Sequence, residues 1–365
     1  MRVLALCSYP VEAAATRFRL AQFVGPLRER GIELTISPFL SSEQFASLYH
    51  GGGIAAKALG MIGPLARRIG EIASLGKYDL LLVQREAMLF GPAIFEPLFA
   101  RLGRLPMVLD LDDATYVHYV SPTYGRIGSA LKFFGKTDAL IRRSQLVICG
   151  NRFIAEHVDS LGGRSAVIPT VVDLDEFCPR KTHNDPPVIG WIGTHSTYEF
   201  VESLFPVFER LAARNSFRLK LVGGGRASVT IPGVEVECLD WDLQREVSDF
   251  RSLDIGVYPI TVSSSANEEW IRGKSGFKAI QYMAVGVPFV MSPVGVCAEM
   301  GEPGVTHFNA STSEDWYTAL NTLLTDRERR FQMGMAGRQF ALGSFDLGVQ
   351  AERLAEALQR VVKEG

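Results

Sequence analysis

Short apolar runs recur along this chain, each closed by glycine, proline or a polar pair. Each is followed by a stretch whose apolar residues return every three or four positions. The first run is Arg2–Ser8, ended by Tyr9-Pro10; a helical pattern opens at Thr16, stops at Gly31, and Glu33–Phe39 reads as the next strand. Later strand-like runs are 78–84, 107–111, 144–149, 166–168, 188–192, 217–222, 234–239, 253–258, 289–291 and 305–308. Helical periodicity covers 96–103, 152–161, 198–214, 314–324, 327–340 and 347–362. Unbroken apolar strands of this length are those buried on both faces of a parallel sheet, and their alternation with helices predicts a doubly wound α/β fold. Asp175 to Pro187, DEFCPRKTHNDPP, is polar and proline-rich and reads as a linker. It divides the chain into Rossmann-like domains over 1–176 and 188–345, with 346–365 as a terminal helix.

One stretch carries most of the chemistry: Arg272 to Gly295, RGKSGFKAIQYMAVGVPFVMSPVG. A basic glycine-rich loop leads into a helix starting near Ser275, with Phe277, Ile280, Met283 and Ala284 on its buried stripe. Gly286 and then Pro288 stop it, and Phe289-Val290-Met291 is a buried strand. Lys274, Lys278 and Gln281 share a face, and Arg272 and Lys274 stand at the amino end. A helix amino end carries free N–H groups and partial positive charge, so cations gathered there imply an anionic ligand such as a phosphate.

The phrase Gln281-Tyr282-Met283-Ala284-Val285-Gly286-Val287-Pro288 resembles the signature of family 4 retaining glycosyltransferases of the GT-B architecture. The resemblance implies two Rossmann-like domains facing across a cleft, with the last helix crossing back to the first. It implies that the first domain takes the acceptor and the second a nucleotide-sugar. The family has two glutamates eight positions apart; Gly273 and Gln281 occupy those places here. Gln281 would meet ribose hydroxyls through its amide, and Glu269 or Glu268 would stand in for the lost upstream glutamate. Gly193 and Thr194, after the first strand of the second domain, and Trp241, in Asp240-Trp241-Asp242, fall where relatives hold the donor; His195 beside them reads equally well as a surface residue. Arg272, Lys274 and Lys278 would supply the charge that many relatives place after that strand. In the first domain Asp112 takes the place of a cleft histidine and Asp113 that of the acidic residue after it. Both are candidate catalytic groups, orienting sugar hydroxyls or stabilising positive charge at the anomeric carbon. As an alternative, an aspartate there caps the following segment. The D-L-D of 110–112 also invites a metal reading, as in the other large glycosyltransferase class, but the nucleotide signature lies in the second half of the chain. No metal is expected.

Ser8, Arg17 and Arg19 follow the first strand, at the sheet edge where such folds bind ligands. No GxGxxG occurs there, so no dinucleotide cofactor is expected. Residues 48–75 are rich in glycine and alanine with Lys57, Arg67 and Arg68 interspersed. Two readings stay open for them: peripheral membrane contact through 52–75, or a half-buried helical hairpin.

Composition adds limits. The 365 residues are 47% hydrophobic and 21% charged with net charge −2, which describes a core-forming globular protein and gives no case for nucleic-acid binding. Five scattered cysteines without a CxxC pair predict buried free thiols and a reducing, cytoplasmic setting, with the inner face of a membrane as an open variant of it. The function these features predict is metal-independent, retaining transfer from a nucleotide-diphospho-sugar to a glycan, lipid-linked or small-molecule acceptor. A non-catalytic sugar-nucleotide binder and another GT-B enzyme, such as an epimerase or phosphorylase, are the rivals.

Overall fold

The structure, a computed structural model, describes residues 1–48, 59–118, 132–180, 183–261 and 268–364. The chain divides into two units, Met1–Val171 with Leu347–Gly365, and Val172–Asp346.

The first unit is built on a six-stranded parallel sheet. Its strands are β1 (Arg2–Cys7), β2 (Glu33–Pro38), β3 (Leu80–Gln84), β4 (Met107–Leu111), β5 (Leu146–Cys149) and β6 (Ser165–Val167), in the order β2-β1-β3-β4-β5-β6. β1, β3, β4 and β5 are almost wholly buried, as their unbroken apolar runs predict. The chain winds one way from β1 to β2 and the other way from β3 onward, so the switch point lies between β1 and β3. The last helix, Leu347–Glu364, belongs to this unit. Arg353 Nη2 donates to the Val167 carbonyl at 3.0 Å, and Arg164 pairs with Glu364 at 2.6 Å.

The second unit repeats the plan with β7 (Val188–Ile192), β8 (Arg218–Val222), β9 (Glu235–Leu239), β10 (Ile255–Tyr258), β11 (Phe289–Met291) and β12 (Phe308–Asn309). All are parallel, in the order β12-β11-β10-β7-β8-β9, with the switch point between β7 and β10. The entering chain is fastened at the buried Asp254 carboxylate, which accepts from Arg180, Asn184 and the Val188 N–H.

Among the elements that differ from the periodicity are two in the second unit. The predicted helix 198–214 is two helices, Tyr198–Glu202 and Phe205–Ala212, because Pro206 lacks the N–H that would continue the first and suits the opening turn of the second. The predicted strand 305–308 shortens to Phe308–Asn309: Gly304 is left-handed, and the Thr306 hydroxyl closes a turn by accepting from the Glu302 N–H at 2.9 Å.

Candidate active site: a cationic helix start in the second unit and an arginine–aspartate cluster in the first

The helix of the organising stretch runs from Phe277 to Ala284. It starts two residues later than its periodicity suggests, because Gly276 before it is left-handed (φ 65°). Its end is a Schellman motif: the Gly286 N–H donates to the Met283 carbonyl and the Val287 N–H to the Tyr282 carbonyl, both at 3.0 Å, with Gly286 left-handed. From Ala279 to Ala284 the helix is buried on every side rather than along one stripe. The Tyr282 hydroxyl donates to the Gly190 or Val257 carbonyl, each 3.2 Å away, and its ring fills the space a side chain would need at Gly256. Burial pushes the Tyr282 phenol up, so it is a neutral anchor to β7 and β10.

The polar residues of this helix are ordered by one another. Lys278 Nζ donates to Gln281 Oε1 at 2.8 Å and lies 5.1 Å from the centre of the Phe250 ring. Gln281 Nε2 in turn donates to Glu246 Oε1 at 3.3 Å. Gln281 is 0% exposed and Glu246 5%. The ribose contact expected of Gln281 therefore has no support in its geometry: both ends of its amide are engaged inside the unit, and Lys278 is the more accessible of the two. Lys274 Nζ sits 3.6 Å from the centre of the Trp270 ring, a cation–π contact that fixes it just ahead of the helix. Glu268, Glu269 and Arg272 are exposed on the short preceding helix Glu268–Arg272. Residues 262–267, before this short helix, lie outside the described residues.

Gly193 and Thr194 follow β7. A side chain at Gly193 would collide with the Trp191 ring at 2.2 Å, and one at Gly223 with the Gly193 carbonyl oxygen at 2.3 Å. These glycines serve close packing of the β7 and β8 turns. Thr194 closes a capping box with Thr197 and is exposed, as is His195. Trp241, half-buried, packs its Cβ near Gly223. So the turns after β7, β8 and β9 gather Gly193, Thr194, Gly223 and Trp241 at the carboxyl edge of the second sheet.

In the first unit the candidates Ser8, Arg17 and Arg19 all bond to neighbours within the unit. Arg19 does not face open space; it is 4% exposed, and its Nε and Nη2 hold the two Asp110 oxygens at 3.0 and 2.5 Å. The buried carboxylate on β4 requires a countercharge, and Arg19 is it. Ser8 is buried and donates to the Glu86 carbonyl at 3.1 Å. Arg17 folds back to the Val11 and Glu12 carbonyls at 3.1 and 3.0 Å.

Asp112 and Asp113 are brought together by a residue that sequence reasoning passed over. Arg85, just past β3, donates through Nε and Nη2 to Asp112 at 2.5 and 2.7 Å, and through Nη2 to Asp113 at 3.1 Å. Gln84 Nε2 adds a bond to Asp112 at 3.2 Å. Burial alone would raise the Asp112 carboxyl; the Arg85 charge and hydrogen bonds outweigh it and hold the group below the usual carboxylate range. Asp112 is therefore an ionised, internally satisfied partner, and Asp113, with the more exposed side chain, is the carboxylate of the pair nearer solvent. Asp110 and Asp112 each pair with an arginine; among the described residues no group of three His, Cys, Asp or Glu side chains that could hold a metal ion occurs. No sequence signal marks Arg85; its left-handed backbone (φ 60°), unusual for arginine, is seen only in the structure.

Residues 186–326 match the model of the family described as glycosyl transferases group 1. A search of curated proteins finds no match. Among solved structures, the chain resembles sucrose-phosphate synthase from Thermosynechococcus elongatus, with TM-score 0.70, 14% identity and 100% of each chain covered. The Anabaena protein HepE in complex with UDP-glucose aligns with TM-score 0.69 and 15% identity over 99% of this chain and 100% of that one. A glycosyltransferase from Rickettsia africae aligns with TM-score 0.69 and 14% identity over 100% of this chain and 99% of that one. At such identities the structural likeness speaks for the fold, and the family match over the second unit speaks for the chemistry. The chain has the GT-B fold, and its residues 186–326 match the family of group 1 glycosyl transferases.

Proposed function

We propose that this glycosyltransferase moves a sugar, with retention of anomeric configuration and without a metal ion, from a nucleotide-diphospho-sugar to a hydroxyl of a glycan, lipid-linked or small-molecule acceptor. The observation that carries the reading is Lys278 in the first turn of the buried helix Phe277–Ala284, with Lys274 and Arg272 just before it, inside the segment that matches the family. The free N–H groups of that turn and these cations favour a diphosphate and stabilise the charge that grows on it as the glycosidic bond breaks. The electron pair of the anomeric C–O bond leaves with the diphosphate. The acceptor oxygen forms the new bond, and its proton passes to a diphosphate oxygen on the same face of the sugar. Asp113, steadied by Arg85, is our candidate for orienting sugar hydroxyls. HepE has been solved with UDP and with UDP-glucose, which makes a uridine donor the first to try.

We also propose peripheral contact of the first unit with a membrane, on a cytoplasmic surface. Residues 49–58 lie outside the described residues, so the support comes from the helix beyond them. Helix Ile62–Glu71 is docked by Arg68, fully buried and bonded to Glu71 and to the Ser37, Cys7 and Ala87 carbonyls. On this helix Ile62 and Ile69 are 61% and 59% exposed, and Leu59, just before it, is 67% exposed. No helix among the described residues is long and apolar enough to cross a membrane.

The test is a thermal-shift panel of UDP-, GDP-, dTDP- and ADP-sugars with EDTA present, run on the wild type and on Lys278→Ala. Stabilisation by one nucleotide class that survives EDTA and is lost in the variant supports the reading. No shift from any donor sinks it, and a shift abolished by EDTA restores a metal to the mechanism.

A further inference from the structure

Gln281 occupies a position where one amide side chain bonds two charged neighbours. Lys278 Nζ donates to Gln281 Oε1 at 2.8 Å, and Gln281 Nε2 donates to Glu246 Oε1 at 3.3 Å. An amide presents one of each at its two ends, and these two partners leave it a single orientation. A carboxylate at 281 would face Glu246 across 3.3 Å in a buried setting, and two such groups cannot both stay ionised. Phe250, on the same helix as Glu246 (Glu246–Arg251), closes the other side of Lys278.

We propose that Glu246 is a positioning residue of the donor site. Acting through the Gln281 amide, it fixes the Lys278 ammonium at the helix start, and it is the one carboxylate this part of the site requires. The inference rests on the donor-site reading above and adds a residue that lies 35 positions away in sequence, on a different helix. Two opposing effects result from removing its charge. Loss of a nearby negative charge by itself favours a bound anion; loss of Lys278 positioning disfavours it. Preorganisation of a first contact outweighs a charge held one side chain further off, so the net effect is weaker diphosphate binding.

The experiment measures UDP and UMP binding, with GDP and GMP in parallel, by calorimetry on the wild type, Glu246→Gln, Gln281→Glu and the double exchange; thermal unfolding is followed without ligand. Glu246→Gln is expected to weaken the diphosphate about tenfold, the size of one lost charge-assisted bond, and to change the monophosphate much less. Gln281→Glu lowers both unfolding temperature and diphosphate affinity, and the double exchange, which returns the site to one carboxylate, regains both. Tighter UDP or GDP binding by Glu246→Gln would show a purely electrostatic role and overturn the proposal. So would an equal loss for mono- and diphosphate, which marks a merely structural role, or a double exchange that fails to recover. If the wild type binds neither nucleotide, the donor-site reading itself fails and this inference with it, an outcome distinct from a wild type that binds while Glu246→Gln is silent.

Discussion

Arg85 grips both oxygens of Asp112, Nε to Oδ1 at 2.5 Å and Nη2 to Oδ2 at 2.7 Å, from a backbone in the left-handed region. A left-handed arginine costs about 1 kcal/mol or more, and the two hydrogen bonds to a buried carboxylate offset it. The pair links the ends of β3 and β4, so it holds the first sheet's carboxyl edge as well as the candidate carboxylates.

Replacing this arginine tests the pairing. Arg85→Met leaves Asp112 buried without its ionic partner, and destabilisation at pH 7 is expected to be about 3 kcal/mol, the lower end for a broken buried pair because Arg85 keeps some solvent and the Gln84 bond remains. In the wild type the carboxyl sits below its unfolded value, so its contribution is full above that value and is lost as pH falls toward the folded pKa. In the variant burial raises it, so protonation relieves the penalty. The gap between the two proteins should therefore be widest near neutrality and narrow steadily below about pH 5. Urea unfolding at several pH values reads this, and a gap that stays constant with pH would refute it.

Two glycines of helix Arg327–Ser344 should respond with opposite signs to alanine. A Cβ on Gly334 would lie 2.2 Å from the Gly286 carbonyl oxygen, at the turn that ends helix Phe277–Ala284, whereas one on Gly343 meets nothing within 4 Å. Alanine gains up to about 1 kcal/mol of helix propensity at either site. At Gly334 a backbone clash of about 3 kcal/mol overrides that gain, so Gly334→Ala lowers the unfolding temperature while Gly343→Ala leaves it unchanged or raises it slightly. Calorimetric scans of the two variants decide it.

The thiols give an independent measure of packing. All five cysteines are free, and burial pushes Cys149 and Cys297 up to about 12 and Cys7 up to about 11. Little thiolate exists at these sites at pH 8. Native protein treated with iodoacetamide should take up no more than two labels, at the half-buried Cys178 and Cys238, against five after unfolding. Mass spectrometry of the adducts reads the count.

For the membrane proposal, Ile62→Glu with Ile69→Glu places charge on the outer face of a helix that Arg68 holds from the inner one. The double variant should keep its unfolding temperature within a degree or two, since exposed positions change stability by about 0.5 kcal/mol or less. It should also lose co-sedimentation with vesicles containing anionic lipid. Retained binding, or no binding by the wild type, rejects the contact.

Much of this protein was decided by local pattern. Unbroken apolar runs such as Leu80–Val83 can be satisfied only where both faces of a strand are covered, so parallel sheets followed from the sequence, and with them a doubly wound fold. Gly286 and Pro288 marked the end of the cationic helix because only a few residue types suit a left-handed cap and a missing donor. Lys274 and Lys278 were visible as candidates for the same reason: charge beside a helix start is a short-range feature. What the linear pattern left open were pairings between residues far apart in the chain. Arg19 meets Asp110 across 91 positions, Arg85 meets Asp112 across 27, and Gln281 meets Glu246 across 35. Each depends on strand order and on which helix lies over which strand, and each is settled by the cost of leaving a buried charge or amide unpaired. Sequence determined which residues could carry the chemistry; tertiary structure decided which of them are already engaged inside the protein and which, like Lys278 and Asp113, keep an exposed side.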